Sequence, residues 1–250
     1  MINGLAGLHR RSYLIGESQG TIISDREEAV QRAVEVIRHQ RGELMLYIRE
    51  FKEFQLALDP LEAPEGPRVV KFMAEHSKAA GVGPMAAVAG VLADLAVEEM
   101  LKAGASVAVV ENGGEAAFTS DRPVNIALQA GDAPLSKRIG FKLGEFPVGV
   151  ATSSGLFSHA LSFGEAEAVT VFAESAGLAD AAATAVGNVV KGDDEQYAAR
   201  LGVDTGLSIE GVRGVFVLYR GAVGMGGRVP SIIGVDPGDP KELSIEIGRR

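Results

Sequence analysis

The chain has 250 residues, 46% of them apolar and 23% charged, a globular balance at a length that can bury a sizeable core. It contains no cysteine, which excludes disulfides, zinc–thiolate sites, iron–sulfur clusters and thiol nucleophiles. A net charge of −9 without a long Lys/Arg run argues against nucleic-acid binding.

No charge-free apolar run reaches membrane-spanning length. Residues 1–5 lack the basic-then-apolar pattern of a secretory signal, so a cytoplasmic setting is expected. In chain order, Arg11 to Ser24 alternates weakly around Gly16 and Gly20 and reads as a β-hairpin. Ser24-Asp25-Arg26-Glu27 has the capping-box pattern, followed by Val30, Ala33, Val34 and Ile37 at helical spacing. Gly42 is expected to end that helix, with a second over Leu44 to Leu58. Three prolines between Asp59 and Pro67 mark a loop. Pro67 suits the first turn of a third helix, and Pro84 that of a fourth, Ala/Val-rich helix reaching Lys102. That fourth helix is apolar on most sides, Asp94 excepted, and suits a buried contact within the chain or between copies in a homo-oligomer.

Beyond Gly104 the pattern changes. Ala105 to Glu111, Val124 to Leu128, Arg138 to Lys142, Val148 to Thr152, Ala168 to Ala173, Val212 to Tyr219 and Val229 to Val235 read as strands. Two helices interrupt them, one capped by Ser175 and running to Val190, the other from Asp194 to Leu201. A helix-rich part, about 1–115, precedes a strand-rich part, about 116–250. Strands in runs, rather than in strict alternation with helices, predict an α+β fold with antiparallel sheet.

Four segments carry possible chemistry. Gly81-Val82-Gly83-Pro84-Met85-Ala86 matches the dinucleotide fingerprint G-x-G-x-x-G/A, but a helix precedes it where a strand is required, so it reads as a helix–helix joint. Thr152-Ser153-Ser154-Gly155 after a strand is either a Ser-rich turn or a cradle of N–H and O–H donors for a phosphate. His159, close by, is either a surface residue or a group that meets a phosphate or moves a proton. Asp180 and Thr184 share one helical face; they suit Mg2+, an oxygen-seeking ion, or else a dipole-favoured Asp and a core Thr. Asn112-Gly113-Gly114-Glu115 is a turn whose glycines also permit close backbone approach to a ligand.

In order, Gly83-Pro84-Met85-Ala86-Ala87-Val88-Ala89-Gly90, Val110-Glu111-Asn112-Gly113-Gly114-Glu115, Val150-Ala151-Thr152-Ser153-Ser154-Gly155 with Ser158-His159, and Leu178-Ala179-Asp180-Ala181-Ala182-Ala183-Thr184-Ala185 resemble the ApbE superfamily, Mg2+-dependent FAD:protein FMN transferases. The closest likeness is to an uncharacterised ApbE-related branch, over roughly Gly81 to Val190. The resemblance implies a single ApbE-like domain over 1–250, with antiparallel sheets, flanking helices and two intertwined subdomains. It implies Mg2+ ligation by Asp180, Thr184 and a backbone carbonyl at Ala86 or Ala87, and an FAD pyrophosphate site lined by Thr152, Ser153, Ser154, Gly155 and His159. Asn112, Gly113, Gly114 and Glu115 map onto a family turn. The implied reaction transfers FMN from FAD to a Thr or Ser of an acceptor protein and releases AMP. The implied partners are thus a flavin or other nucleotide and an acceptor protein.

Overall fold

The computed structural model describes residues 7–62, 65–129, 135–153, 164–235 and 244–247. The chain opens with a hairpin of β1 (His9–Ile15) and β2 (Ser18–Ser24), then turns helical through α1 (Glu27–Glu50), α2 (Lys52–Leu56) and α3 (Arg68–Ala80). A 3-10 turn (Pro84–Ala87) leads into α4 (Val88–Lys102). There follow β3 (Ala108–Asn112), β4 (Glu115–Thr119), β5 (Val124–Leu128), β6 (Ile139–Leu143), β7 (Val148–Ser153) and β8 (Ala168–Ala173). After α5 (Ala176–Val189) and α6 (Glu195–Leu207) come β9 (Val212–Tyr219), β10 (Ala222–Gly227), β11 (Ser231–Gly234) and β12 (Ser244–Ile247).

Eight strands form one sheet in the order β1-β2-β3-β4-β7-β8-β9-β10, every neighbouring pair antiparallel. A smaller sheet has the order β11-β6-β5-β12, with only the β5–β12 pair parallel. Alternation along the strands of the large sheet sorts their side chains to two faces. Ala151, Val169, Val171, Val215 and Val217 pack with α3, α4, α5 and α6. Ala108, Val110 and Ala117 extend that face under α1 and α4. Val109, Phe118, Val150, Phe172 and Phe216 point the other way and meet Val124, Ile126 and Phe141 of the small sheet. Phe141 sits edge-on to both Phe172 and Phe216, with ring centroids 5.0 and 5.5 Å away, a favourable aromatic geometry. The molecule is therefore layered as helices, large sheet, small sheet. This is the α+β, antiparallel, helix-flanked architecture expected from the sequence.

Several boundaries differ from expectation for identifiable reasons. Ser24 does not cap α1. It is buried in the last β2 pair, opposite Ala108, and α1 starts at Glu27 after Arg26. The adjacent Asp25 instead accepts from the Ser106 and Val107 amides, tying the start of α1 to the approach to β3. Gly42 does not break α1, which runs unbroken to Glu50. A helical glycine costs about 1 kcal/mol against alanine, but Ile37, Gln40, Leu44 and Ile48 form one buried stripe across it. The real break lies at Phe51. By contrast, Gly81 ends α3 as expected, left-handed at φ 69° with Val82 N–H bonded back to the Ser77 carbonyl.

Candidate functional site

Helix α5 is almost wholly buried. Of its 14 residues only Asp180, Thr184, Asn188 and Val189 are partly exposed. The first three recur every fourth residue and so line one face. Asp180 on that face reaches the start of α4. The Gly90 amide, in the first turn of α4, donates to Asp180 Oδ2 at 3.0 Å. First-turn amides have no regular intrahelical acceptor, and a carboxylate there is favoured by the helix dipole. Thr184 Oγ1 donates to the Asp180 carbonyl at 3.3 Å, so its oxygen lone pairs remain to accept or ligate.

The reverse contact also exists. Asp94, on α4, accepts from the amides of Ala176 and Gly177 at 2.9 and 2.8 Å, the first two residues of α5. Burial raises the Asp94 carboxyl to about 6, opposed by these two amides. The helices touch backbone to backbone here. A Cβ on Gly90 would collide with the Ala176 carbonyl, and one on Gly177 would press on His76 and Val91.

Asn112 ends β3 and reaches the same place, its Nδ2 donating to the Ala89 carbonyl at 3.0 Å. Asn112 and Asp180 therefore grip consecutive residues, Ala89 and Gly90. The tight turn after Asn112 uses Gly113 and Gly114 at φ 72° and 113°, which a side chain would strain. Glu111 secures it from the opposite face, accepting from the Gly114 amide at 3.0 Å. Burial raises the Glu111 carboxyl to about 6, opposed by the amides of Gly114, Thr21 and Gly113 and by Arg10. Glu115, opposite Asn112 in the β3–β4 ladder, is buried.

Of the residues singled out in the sequence, Asp180 and Asn112 meet at the amino-terminal turn of α4, which the Ala86 segment leads into, and Thr184 lies one turn further along α5, bonded to the Asp180 carbonyl. Ser153 shares strand parity with Ala151 and so belongs to the helix-facing side. Thr152 does not join them. It is buried and shares a 3.0 Å hydrogen bond with Thr170, and its parity with Val150 puts it on the side of the small sheet. Ser154, Gly155 and His159 lie outside the described residues. Asp94 is the site element that sequence reasoning misses. Its signal is one acid inside an apolar helix, which demands a buried polar partner.

Asp180 and Thr184 present a carboxylate and a hydroxyl one helical turn apart, both oxygen donors. Such a set fits Mg2+ that keeps several waters. Among the described residues there is no cluster of three or more His, Asp or Glu side chains arranged to hold a metal unaided. No single helix among them is long and apolar enough to cross a membrane.

The fold is that of the ApbE proteins. The structure of the flavinyl transferase ApbE of Pseudomonas stutzeri aligns over 88% of this chain and 94% of its own, at a TM-score of 0.59 and 15% identity. The ApbE protein of Thermotoga maritima aligns over 92% and 97%, at 0.57 and 13%. In sequence, the UPF0280 protein of Methanosarcina acetivorans is 39% identical over 226 residues, 89% of this chain and 88% of that protein. The UPF0280 protein of Methanopyrus kandleri is 40% identical over 243 residues, 96% of this chain and 99% of that protein. The family described as AbpE bacteria matches residues 10–214, from β1 into β9. With that span covered and near full-length relatives at such identity, the chain belongs to the AbpE bacteria family.

Proposed function

We propose that the chain binds FAD, or another flavin or nucleotide diphosphate, together with Mg2+, and transfers FMN from FAD to a Thr or Ser of an acceptor protein. The observation that carries this reading is the polar face of α5. In a helix that is mostly buried, Asp180 and Thr184 stand one turn apart on one partly exposed face, with Asp180 held by the start of α4. The ApbE-like fold and the names of the solved neighbours supply the ligand class.

In this reading Asp180, Thr184 and the Ala86 carbonyl hold the ion. Bound there, Mg2+ would offset charge on a pyrophosphate. The chain's own contribution is positioning. Asp180 is held by the Gly90 amide, and Thr184 by the Asp180 carbonyl, so neither donor must be ordered when ligand arrives. Asn112 fixes the Ala89 carbonyl and with it the α4 turn that faces the ligand. Gly113 and Gly114 leave that turn without side chains. Ser153, and from the sequence Ser154, Gly155 and His159, are the proposed phosphate contacts; Thr152 would need to break its bond to Thr170 to join them. The overall exchange forms a bond from the acceptor hydroxyl oxygen to the FMN phosphorus and breaks the pyrophosphate, releasing AMP.

Calorimetric titration with FAD, with and without Mg2+, tests the binding step; saturable, Mg2+-dependent heat is expected, and none under either condition refutes it. Binding without transfer is the second reading. It is favoured by the segment Pro84-Met85-Ala86-Ala87-Val88-Ala89-Gly90, which brings no cationic side chain to the proposed phosphate site. Incubation with FAD, Mg2+ and a Thr-bearing acceptor separates the two: transfer adds the mass of one FMN less one water to the acceptor.

A further inference from the structure

We infer that Asp94 is the positioning residue for the Asp180–Thr184 pair, acting through a reciprocal clasp in which each of two crossing helices holds the other's amino terminus. The inference rests on the metal-site reading above for its functional consequence, but its structural content stands alone.

The geometry has three parts. First, α4 and α5 cross where Gly90 faces the main chain of Ala176 and Gly177, with Val91 packed over Gly177. The crossing thus brings two helix amino termini together, each equivalent to roughly half a positive charge. Left alone, these ends repel in a poorly hydrated place. Second, each end receives a carboxylate from the other helix: Asp94 of α4 takes the Ala176 and Gly177 amides, and Asp180 of α5 takes Gly90. Third, the two grips are mechanically linked. Asp94 fixes the first two residues of α5, and Asp180 lies on the next turn of the same rigid helix. Releasing Asp94 frees the start of α5 to move off α4, which lengthens the Asp180–Gly90 bond and turns the Asp180–Thr184 face. Ser175 also caps α5, accepting from Leu178 at 3.3 Å. That bond lies within the α5 terminus and makes no link to α4, so it supplies a built-in control.

The test compares Asp94→Asn with Ser175→Ala at about pH 7.5, using amide hydrogen exchange at Gly90 and Mn2+ binding followed by electron paramagnetic resonance. The Asp94→Asn change keeps the shape of the side chain but replaces one acceptor oxygen by a donor. D94N is expected to speed Gly90 exchange and to weaken Mn2+ about tenfold, as loss of a group supporting a metal ligand does. S175A is expected to leave both unchanged, whatever it does to stability. Gly90 exchange as in the wild type in D94N, or equal changes in S175A, overturns the clasp. If the wild type binds no Mn2+, the metal-site reading fails, and the exchange result alone decides the clasp. If D94N does not fold, Asp180→Asn is read from the other side. Faster exchange at Ala176 and Gly177 supports the clasp, and unchanged exchange there overturns it.

Discussion

Gly90→Ala is the sharpest single test of the α4–α5 crossing. On propensity alone, alanine inside a helix stabilises by about 1 kcal/mol over glycine. Here the added methyl points at the Ala176 carbonyl, at a separation no Cβ normally tolerates, and the obstacle is main chain rather than a flexible side-chain end. The helices must part. Forced overpacking costs about 1–3 kcal/mol, and losing a hydrogen bond to a charged acceptor costs about 1.5–3 kcal/mol. Against the propensity gain, the net loss is about 3 kcal/mol. For a chain of this size that lowers Tm by about 6–12 °C. Denaturant and thermal unfolding measure it directly. A G90A protein as stable as the wild type, or more stable, would refute the close crossing and the account of Asp180 as a group held by the Gly90 amide.

Stability should depend on pH through Asp94. Its carboxyl ionises at about 6 in the folded protein against an ordinary 3.8, so the unfolded chain gives up that proton first. The stabilisation is complete below about pH 4 and is lost as pH rises through about 6. Subtracting D94N denaturation midpoints from wild-type midpoints isolates it; a difference that grows in favour of the wild type with rising pH would contradict the assignment. Asn112→Ala removes the grip on the Ala89 carbonyl and should cost about 1–2 kcal/mol, while Asn112→Asp, setting a carboxylate against that carbonyl, should cost more; equal stability of the two variants in urea would argue against the contact. Phe172→Ala opens the aromatic cluster between the two sheets and should cost about 3–5 kcal/mol in the same assay, with FAD binding in whatever folded protein remains left unchanged.

The elements legible in the sequence are those whose signals are local. The αL glycine after Ala80, the Ser175 cap and the apolar runs of β3, β7, β8 and β9 each announce themselves within a few residues. The strands β4 and β10 do not. Glu115 reads in sequence as the end of the turn after Asn112, with no strand assigned behind it, and Ala222–Gly227 is half glycine, a poor strand former that is paired here by its neighbour β9. Site residues divide the same way. Asp180 and Thr184 show at i, i+4 spacing. Asp94 stands out locally as an acid among apolar residues, but it and Gly90 gain their partners from Ala176, Gly177 and Asp180, more than eighty residues further along the chain, which no local pattern names. Thr152 illustrates a third limit: its hydroxyl is conspicuous in the sequence, yet strand parity turns it away from the neighbouring Ser153.

The parallel pairing of β12 with β5 has a consequence for how the molecule is made. Asn125–Leu128 receive Ser244–Ile247 as their neighbour across about 120 positions of chain. A ribosome-bound intermediate that has completed the large sheet still presents an open β5 edge, and such unpaired edges recruit other chains. The edge stays open until Ser244–Ile247 have been made, whatever the folded part has achieved. Shortening the chain before residue 244 would therefore show itself first as clumping during synthesis, well before any loss at the opposite, helix-covered side.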